Sequence, residues 1–236
     1  MIVSYLKFKI SALKRAVKNK SRRFKKNHIF LDIKTIISKK TIIEPYVSIV
    51  GGGTFIDASI GTGTYIGSSC QLDYCKIGKY CSIGTNVRAI TSNHPLEHIS
   101  TSPVFYKTQS KQDTIIKVNN KSVFNNEKLM SNESFSVIIG NDCWIGDNVL
   151  IKGGLTVGTG SVIGFGSVVT HDVPPFSIVC GNPAKILRYR FNDETIKRII
   201  ESEWWNRDRD FLSKLDFDKI NVFLRQVNEK NSPDLQ

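Results

Sequence analysis

The sequence has 236 residues, 40% hydrophobic and 23% charged, which is ordinary for a globular domain and excludes a disordered or fibrous chain. Its net charge of +12 sits at one end, because residues 1–40 hold 13 of the 33 basic residues and one of the 21 acidic residues. Residues 41–236 hold 20 of each sign, which leaves no net basic charge there and argues against a nucleic-acid-binding protein.

The basic N-terminal segment, residues 1–40, has helical apolar periodicity near its start. Such a segment predicts peripheral contact with an anionic membrane through residues 1–26, or else a helix that caps the open end of a repeat fold. The chain contains no apolar run near the ~18 residues that a spanning helix needs and no signal-peptide pattern. We therefore expect a cytoplasmic protein, whose basic segment would reach the inner face of the membrane. The apolar positions are Ile2, Tyr5, Leu6, Ile10, Leu13 and Val17.

Aliphatic residues recur in strict steps of six through the second half of the chain, and glycine follows four of them. A less regular block of Ile-Gly and similar pairs covers residues 50–84. A period of six fits neither one face of a helix nor a simple strand, so it predicts short strands and tight turns wound into a coil. We expect the aliphatic side chains inside the coil and the glycines to supply the backbone angles of its corners. The strict positions are Ile139, Ile145, Ile151, Val157, Ile163 and Val169.

The five cysteines are odd in number and form no CxxC pair, which argues for a reducing compartment and against a disulfide framework. Cys70, Cys81 and Cys143 fall at small-residue positions of the repeat, which predicts buried fillers. The repeat blocks contain no histidine, so a site of three converging imidazoles is not expected and no metal is predicted.

The repeat resembles the hexapeptide-repeat acyltransferase superfamily, whose members fold as left-handed parallel β-helices of triangular section. The resemblance implies an all-β core at residues 41–190, between the basic segment 1–40 and a helical segment at 191–236. It also implies a homotrimer with active sites between neighbouring subunits.

Residues 90–136 break the period and form an extruded loop, a usual place for function on a rigid scaffold. The stretches Ser-Asn-His-Pro at 92–95 and Ser-Thr-Ser-Pro-Val-Phe-Tyr at 100–106 resemble the xenobiotic and polysaccharide O-acetyltransferases. The resemblance makes His94 the general base that deprotonates an acceptor hydroxyl, oriented by Glu97 or by a backbone carbonyl. It favours Asn93, His98 and Tyr106 as acceptor-binding residues.

Acetyl-CoA is the co-substrate that the resemblance implies. Asn141-Asp142-Cys143-Trp144 resembles a family segment beside the active-site tunnel, and Gly-Asn-Pro-Ala-Lys at 181–185 resembles its closing signature. Small residues would let the pantetheine arm approach the backbone, and basic residues would bind the phosphates. The predicted donor-binding residues are Trp144, Gly153, Gly154, Thr159, Gly164, Gly166, Lys185 and Arg188.

Three functions remain open from the sequence. The first is direct acetyl transfer to a sugar hydroxyl of a bacterial surface polysaccharide or its precursor. The second is acetylation of an antibiotic of the chloramphenicol or streptogramin type by the same chemistry. The third is a non-catalytic β-helix scaffold, which would bind no acetyl-CoA.

Overall fold

The computed structural model describes residues 27–106, 124 and 128–229. The amphipathic segment predicted at residues 1–26 lies outside these residues. The described part folds as a left-handed parallel β-helix of about seven turns followed by short helices, which confirms the predicted fold class. No helix of the described residues is long and apolar enough to cross a membrane.

Three sheets, here called A, B and C, form the three sides of the coil. Sheet A contains β1 (Phe30–Leu31), β4 (Ser48–Ile49), β7 (Tyr65–Ile66), β10 (Ser82–Ile83), β13 (Trp144–Ile145), β16 (Val162–Ile163), β18 (Ser177–Gly181) and β19 (Ala184–Tyr189). Sheet B contains β2 (Thr35–Ile37), β5 (Gly53–Phe55), β8 (Cys70–Gln71), β11 (Arg88–Ile90), β14 (Leu150–Lys152) and β17 (Val168–Val169). Sheet C contains β3 (Ile42–Ile43), β6 (Ser59–Ile60), β9 (Cys75–Ile77), β12 (Val137–Ile139) and β15 (Leu155–Val157). All paired strands within these sheets run parallel except β18 and β19.

The coil begins earlier than predicted. Strands β1 and β2, within the basic segment assigned to residues 1–40, pair in register with β4 and β5. The first turn therefore starts at Phe30, because Leu31 and Ile37 pack against the interior although no glycine follows them. The Ile-Gly template could not detect this turn.

The interior is a stack of aliphatic side chains in register from turn to turn. In sheet A, Ile66, Ile83, Ile145 and Ile163 occupy successive paired positions and are at most 1% exposed. All six aliphatic positions of the strict repeat are buried, as predicted. Cys70, Cys81 and Cys143 are also buried, which confirms their role as fillers of the coil.

The repeat glycines have a different role from the predicted one. Gly78 does not have a positive φ; instead, a Cβ there would lie 2.5 Å from the carbonyl oxygen of Gly140 in the next turn. The left-handed conformation falls two residues later, at Tyr80 with φ of 58°. Except at Gly51, where φ is 71°, the glycines that follow the repeat aliphatics are therefore required by the close approach of backbones in successive turns rather than by the corner angles.

The insertion leaves the coil after β11 and returns at β12, between sheets B and C. It contains the helix α1 (Pro103–Tyr106). After β19 follow α2 (Asp193–Ser202), a 3₁₀ turn (Trp204–Asn206), α3 (Arg209–Leu212) and α4 (Ile220–Glu229). Asn192 caps α2 by accepting a hydrogen bond from the amide of Thr195, at 2.9 Å. Trp204 and Trp205 are 8% and 7% exposed in the core of this helical segment, which packs on the coil through Phe176.

Candidate active site

His94 lies at the base of the insertion, four residues after β11. The chain is held there by the amide of Leu129, which donates to the carbonyl of Thr91 at 2.9 Å, and by an isolated bridge between Ser92 and Lys128. The imidazole of His94 is exposed. Two extended segments of the insertion, joined by this bridge, thus hold the backbone beside a histidine whose side chain reaches solvent.

The carbonyl of Thr101 determines the tautomer of His94. Nδ1 of His94 lies 2.9 Å from this carbonyl oxygen, which can only accept a hydrogen bond. In the neutral ring, the tautomer that fits this contact has the proton on Nδ1 and the lone pair on Nε2. A backbone carbonyl, rather than Glu97, contacts the ring, and a neutral imidazole held in this way can accept a proton at Nε2.

The other acceptor-binding candidates differ in how much of their surface is exposed. Asn93 and His98 are half-buried beside His94. Tyr106 is 3% exposed, and its hydroxyl lies 3.1 Å from Nδ1 of His94. Tyr106 therefore offers little surface to an acceptor, contrary to the prediction, because its ring packs inside the insertion.

A groove runs along sheet A at its edge with sheet B. It has a volume of about 330 Å³ and is lined by the aromatic side chains of Tyr65, Trp144 and Phe165, by glycines that include Gly164, and by Asp147. These three aromatic side chains are 51%, 59% and 84% exposed, unusually high for large apolar groups. A groove lined by exposed aromatic side chains and glycines suits a narrow, partly apolar ligand.

The predicted phosphate-binding cations lie beyond this groove. Lys185 pairs with Cys180, and the Cβ of Cys180 lies 2.8 Å from where a Cβ on Gly164 would be. Arg188 pairs with Ile178 on the same two strands. Both cations are exposed, so the end of sheet A presents positive charge next to the aromatic groove.

The remaining donor-binding candidates do not join the groove as one surface. Gly153 and Gly154 lie at the edge between sheets B and C, where the amide of Gly153 donates to the carbonyl of Ile90 at 2.8 Å. Thr159 lies at the edge between sheets C and A, after β15. Gly166 lies at the A–B edge with Gly164, with φ of 67° and open space around it. The predicted residues are therefore spread over three edges of the coil.

His94 and the aromatic groove lie on different edges of one chain. The groove opens at the A–B edge, whereas the insertion leaves at the B–C edge, with sheet B between them. One hexad of extended chain spans roughly 20 Å, which is too far for one thioester to contact both. Within a single chain, His94 and the groove are therefore two separate candidate half-sites.

Cys70 and Cys75 are poor candidates for a nucleophile because both are buried. Burial raises the pKa of the Cys70 thiol and raises the pKa of Cys75 well above its ordinary range. Both thiols therefore remain protonated and unreactive at neutral pH. Within residues 27–106, 124 and 128–229, no three His, Cys, Asp or Glu side chains converge as a metal ion would require.

Sequence reasoning missed Tyr65 and Phe165 in the groove. Tyr65 precedes the interior residue Ile66, and Phe165 follows the repeat glycine Gly164. An aromatic residue at an outward-facing position of the repeat was the available signal. This signal could be interpreted only once the strand pairing was known, because the pairing of β7 with β10 and of β10 with β13 brings Tyr65 and Trp144 to one face.

The family model for the bacterial transferase hexapeptide, with six repeats, matches residues 136–171. A chloramphenicol acetyltransferase of Agrobacterium fabrum is 39% identical over 136 residues, 56% of this chain and 60% of the relative. The polySia-specific acetyltransferase NeuO is a solved structure with 29% identity and a TM-score of 0.45, matched over 65% of this chain and 60% of its own. The present chain spans about 60% of the length of the curated chloramphenicol acetyltransferases that it matches.

A probable macrolide acetyltransferase of Lysinibacillus sphaericus is 36% identical over 132 residues, which are 55% of this chain and 68% of the relative. More than a third of the aligned residues are thus identical, and the alignment covers two thirds of this relative. The hexapeptide repeat that the family model describes is also the repeat that builds the coil. The chain belongs to the hexapeptide-repeat acyltransferase superfamily.

Proposed function

We propose that the protein is an acetyl-CoA-dependent O-acetyltransferase, in which His94 is the general base. The acceptor is a sugar hydroxyl of a bacterial surface polysaccharide or its precursor. The observation that carries the proposal is the contact between Nδ1 of His94 and the carbonyl of Thr101, which leaves Nε2 as an exposed base. The relatives whose names are acetyltransferases support the same reaction class.

The chemistry follows from the position of the free nitrogen. Nε2 of His94 removes the proton of the acceptor hydroxyl while the hydroxyl oxygen bonds to the carbonyl carbon of the acetyl thioester. The carbon–sulfur bond breaks, and the imidazolium returns the proton to the sulfur, so the products are an acetyl ester and a free thiol. Direct transfer is favoured over an acetyl-enzyme, since four of the five thiols, those of Cys70, Cys75, Cys81 and Cys143, are buried away from a bound substrate.

The groove on sheet A is the proposed donor site. Its aromatic side chains, Trp144 among them, and its glycines, which include Gly164, fit a thin thioester arm. Lys185 and Arg188 would hold phosphate groups at the end of the sheet, since both are exposed cations. Gly153, Gly154 and Thr159, on other edges, would contact the donor only if it bridged two chains.

We infer a homotrimer from the separation of the two half-sites. A thioester held in the groove of one subunit would meet His94 of a neighbouring subunit, so it would not have to reach across sheet B of its own chain. Closed threefold association would repeat this contact at each interface. The state in solution is tested by light scattering, where a monomer would contradict this arrangement.

Two acceptor classes compete for the same chemistry. Antibiotic acetylation is the second candidate, favoured by the 39% identity to a chloramphenicol acetyltransferase. A polysaccharide acceptor would suit the basic segment at residues 1–26, which we propose acts at the inner face of the membrane. Asn93 and His98, half-buried beside the base, are proposed to contact the acceptor in either case.

The test is turnover of acetyl-CoA, followed as free thiol, against sugars, glycolipid precursors and chloramphenicol. Thiol release that depends on a sugar or glycolipid supports the proposal, and the ester is then located by mass spectrometry. Release with chloramphenicol alone would favour the antibiotic function. Absence of acetyl-CoA binding by calorimetry would contradict both and favour the scaffold.

A further inference from the structure

Tyr106 ends the short helix α1 inside the insertion, and its hydroxyl approaches the histidine that we assign as the base. The side chain is 3% exposed, and its oxygen lies 3.1 Å from Nδ1 of His94. The two rings meet edge to face, at 85° and 6.4 Å between centroids. The phenol oxygen is therefore within hydrogen-bond distance of the orienting nitrogen of the proposed base.

The hydrogen-bond chemistry decides the direction of this contact. The carbonyl of Thr101, 2.9 Å from the same nitrogen, requires Nδ1 to carry a proton. A protonated Nδ1 has no lone pair, so the oxygen of Tyr106 must accept from it, sharing the N–H with the carbonyl. When Nε2 takes the acceptor proton, this N–H becomes part of a cation, and hydrogen bonds from a charged donor are about twice as strong.

The position of the phenol is fixed by neighbouring rings. His98 lies 6.2 Å from Tyr106 at an interplanar angle of 75°, and Phe124 lies 5.6 Å away at 74°. His98 and Phe124 also contact each other, at 6.3 Å. Edge-to-face packing on three sides restrains the ring of Tyr106, so its oxygen stays at the orienting nitrogen.

We propose that Tyr106 is a positioning residue for the reaction. Together with the Thr101 carbonyl, its oxygen holds the Nδ1 proton of His94, keeps Nε2 as the free base and stabilises the imidazolium formed during transfer. This inference rests on the proposed function and assigns His98 a supporting contact through Tyr106. It replaces the expectation that Tyr106 binds the acceptor.

The test compares Tyr106→Phe with Tyr46→Phe, both of which remove one oxygen and keep the ring. Tyr46 stacks on His28 in the first turn, far along the coil from the insertion. Loss of a hydrogen bond to a charged group predicts a kcat lower by about 10- to 100-fold in Tyr106→Phe. The KM for acetyl-CoA stays within about twofold, as general-base chemistry predicts. Tyr46→Phe should match the wild type.

The pH profile separates positioning from mere packing. With one acceptor oxygen fewer, the imidazolium is less stable, so the pH at which kcat/KM reaches half its plateau should move down in Tyr106→Phe. A kcat within twofold of wild type and an unchanged profile would overturn the inference. If His94→Asn then abolishes turnover, the proposed function stands while the role of Tyr106 fails; an inactive wild type overturns both.

The imidazole ¹⁵N shifts of His94 test the same idea without turnover. At a pH where the ring is neutral, the wild type should show a protonated Nδ1 and an unprotonated Nε2. The opposite tautomer would mean that Tyr106 donates its hydroxyl proton to Nδ1, which would overturn the inference.

Discussion

Replacing Ile83 by alanine tests the interior of the coil. Ile83 is fully buried, and its paired neighbours Ile66 and Ile145 belong to adjacent turns. Three carbons lose their burial, worth ~2.4 kcal/mol at ~0.8 kcal/mol per methylene. A cavity of about 70 Å³ adds ~1.7 kcal/mol at ~24 cal/mol per Å³ if nothing relaxes. We therefore expect a loss of about 3–4 kcal/mol, since parallel backbones on three sides limit collapse.

The assay is urea unfolding at fixed protein concentration, with Ile42→Ala as the control. Ile42 is 63% exposed in sheet C, so its truncation should change the free energy of unfolding by less than about 0.5 kcal/mol. The slope with urea should be unchanged in both variants. If Ile83→Ala lowered the free energy of unfolding no more than Ile42→Ala does, the close packing of the interior aliphatic side chains would be refuted.

Three further predictions concern the turns, the groove and the ion pair between Asp142 and Arg190. Gly78→Ala should lose about 1–3 kcal/mol of stability, because its Cβ would meet a backbone oxygen of the next turn; an unchanged midpoint in urea would contradict this. Trp144→Ala should raise the KM for acetyl-CoA about 10-fold, because the donor loses an aromatic contact. An unaltered KM would exclude the groove as the binding site for acetyl-CoA. Burial raises the pKa of Asp142, while Arg190, 3.2 Å away, opposes the rise. A raised folded pKa means that stability falls as pH rises through it, so Arg190→Gln should cost about 1 kcal/mol more at pH 7 than at pH 3, measured by urea unfolding. Equal losses at both pH values would refute this coupling.

The regular part of the fold could be predicted because its cause is local. An aliphatic residue at every sixth position, such as Ile145 or Ile151, needs only the period to be placed inside a coil. The first turn at Phe30 escaped prediction because its strands lack the following glycine. The role of Gly78 was also misjudged, since the backbone that excludes a side chain there comes from Gly140, across the insertion.

The sequence supplies candidate residues for the site, but it does not predict how they are arranged. The sequence context around His94 indicates the base, but the carbonyl that orients it belongs to Thr101, and nothing in the local pattern selects that residue. The burial of Tyr106 depends on Phe124, from a distant part of the insertion. Donor-binding candidates chosen for small size, such as Thr159, were spread over three edges because glycine and other small residues recur at all three edges of the coil.

The most direct measurement is the turnover of His94→Asn against the wild type, at saturating acetyl-CoA and with the acceptor identified in the panel. Loss of a general base should reduce kcat by about 10²- to 10⁴-fold. Calorimetry should show acetyl-CoA binding within about twofold of wild type, since the groove lies on another edge of the chain. A kcat within a few-fold of wild type would contradict the assignment of His94 as the base.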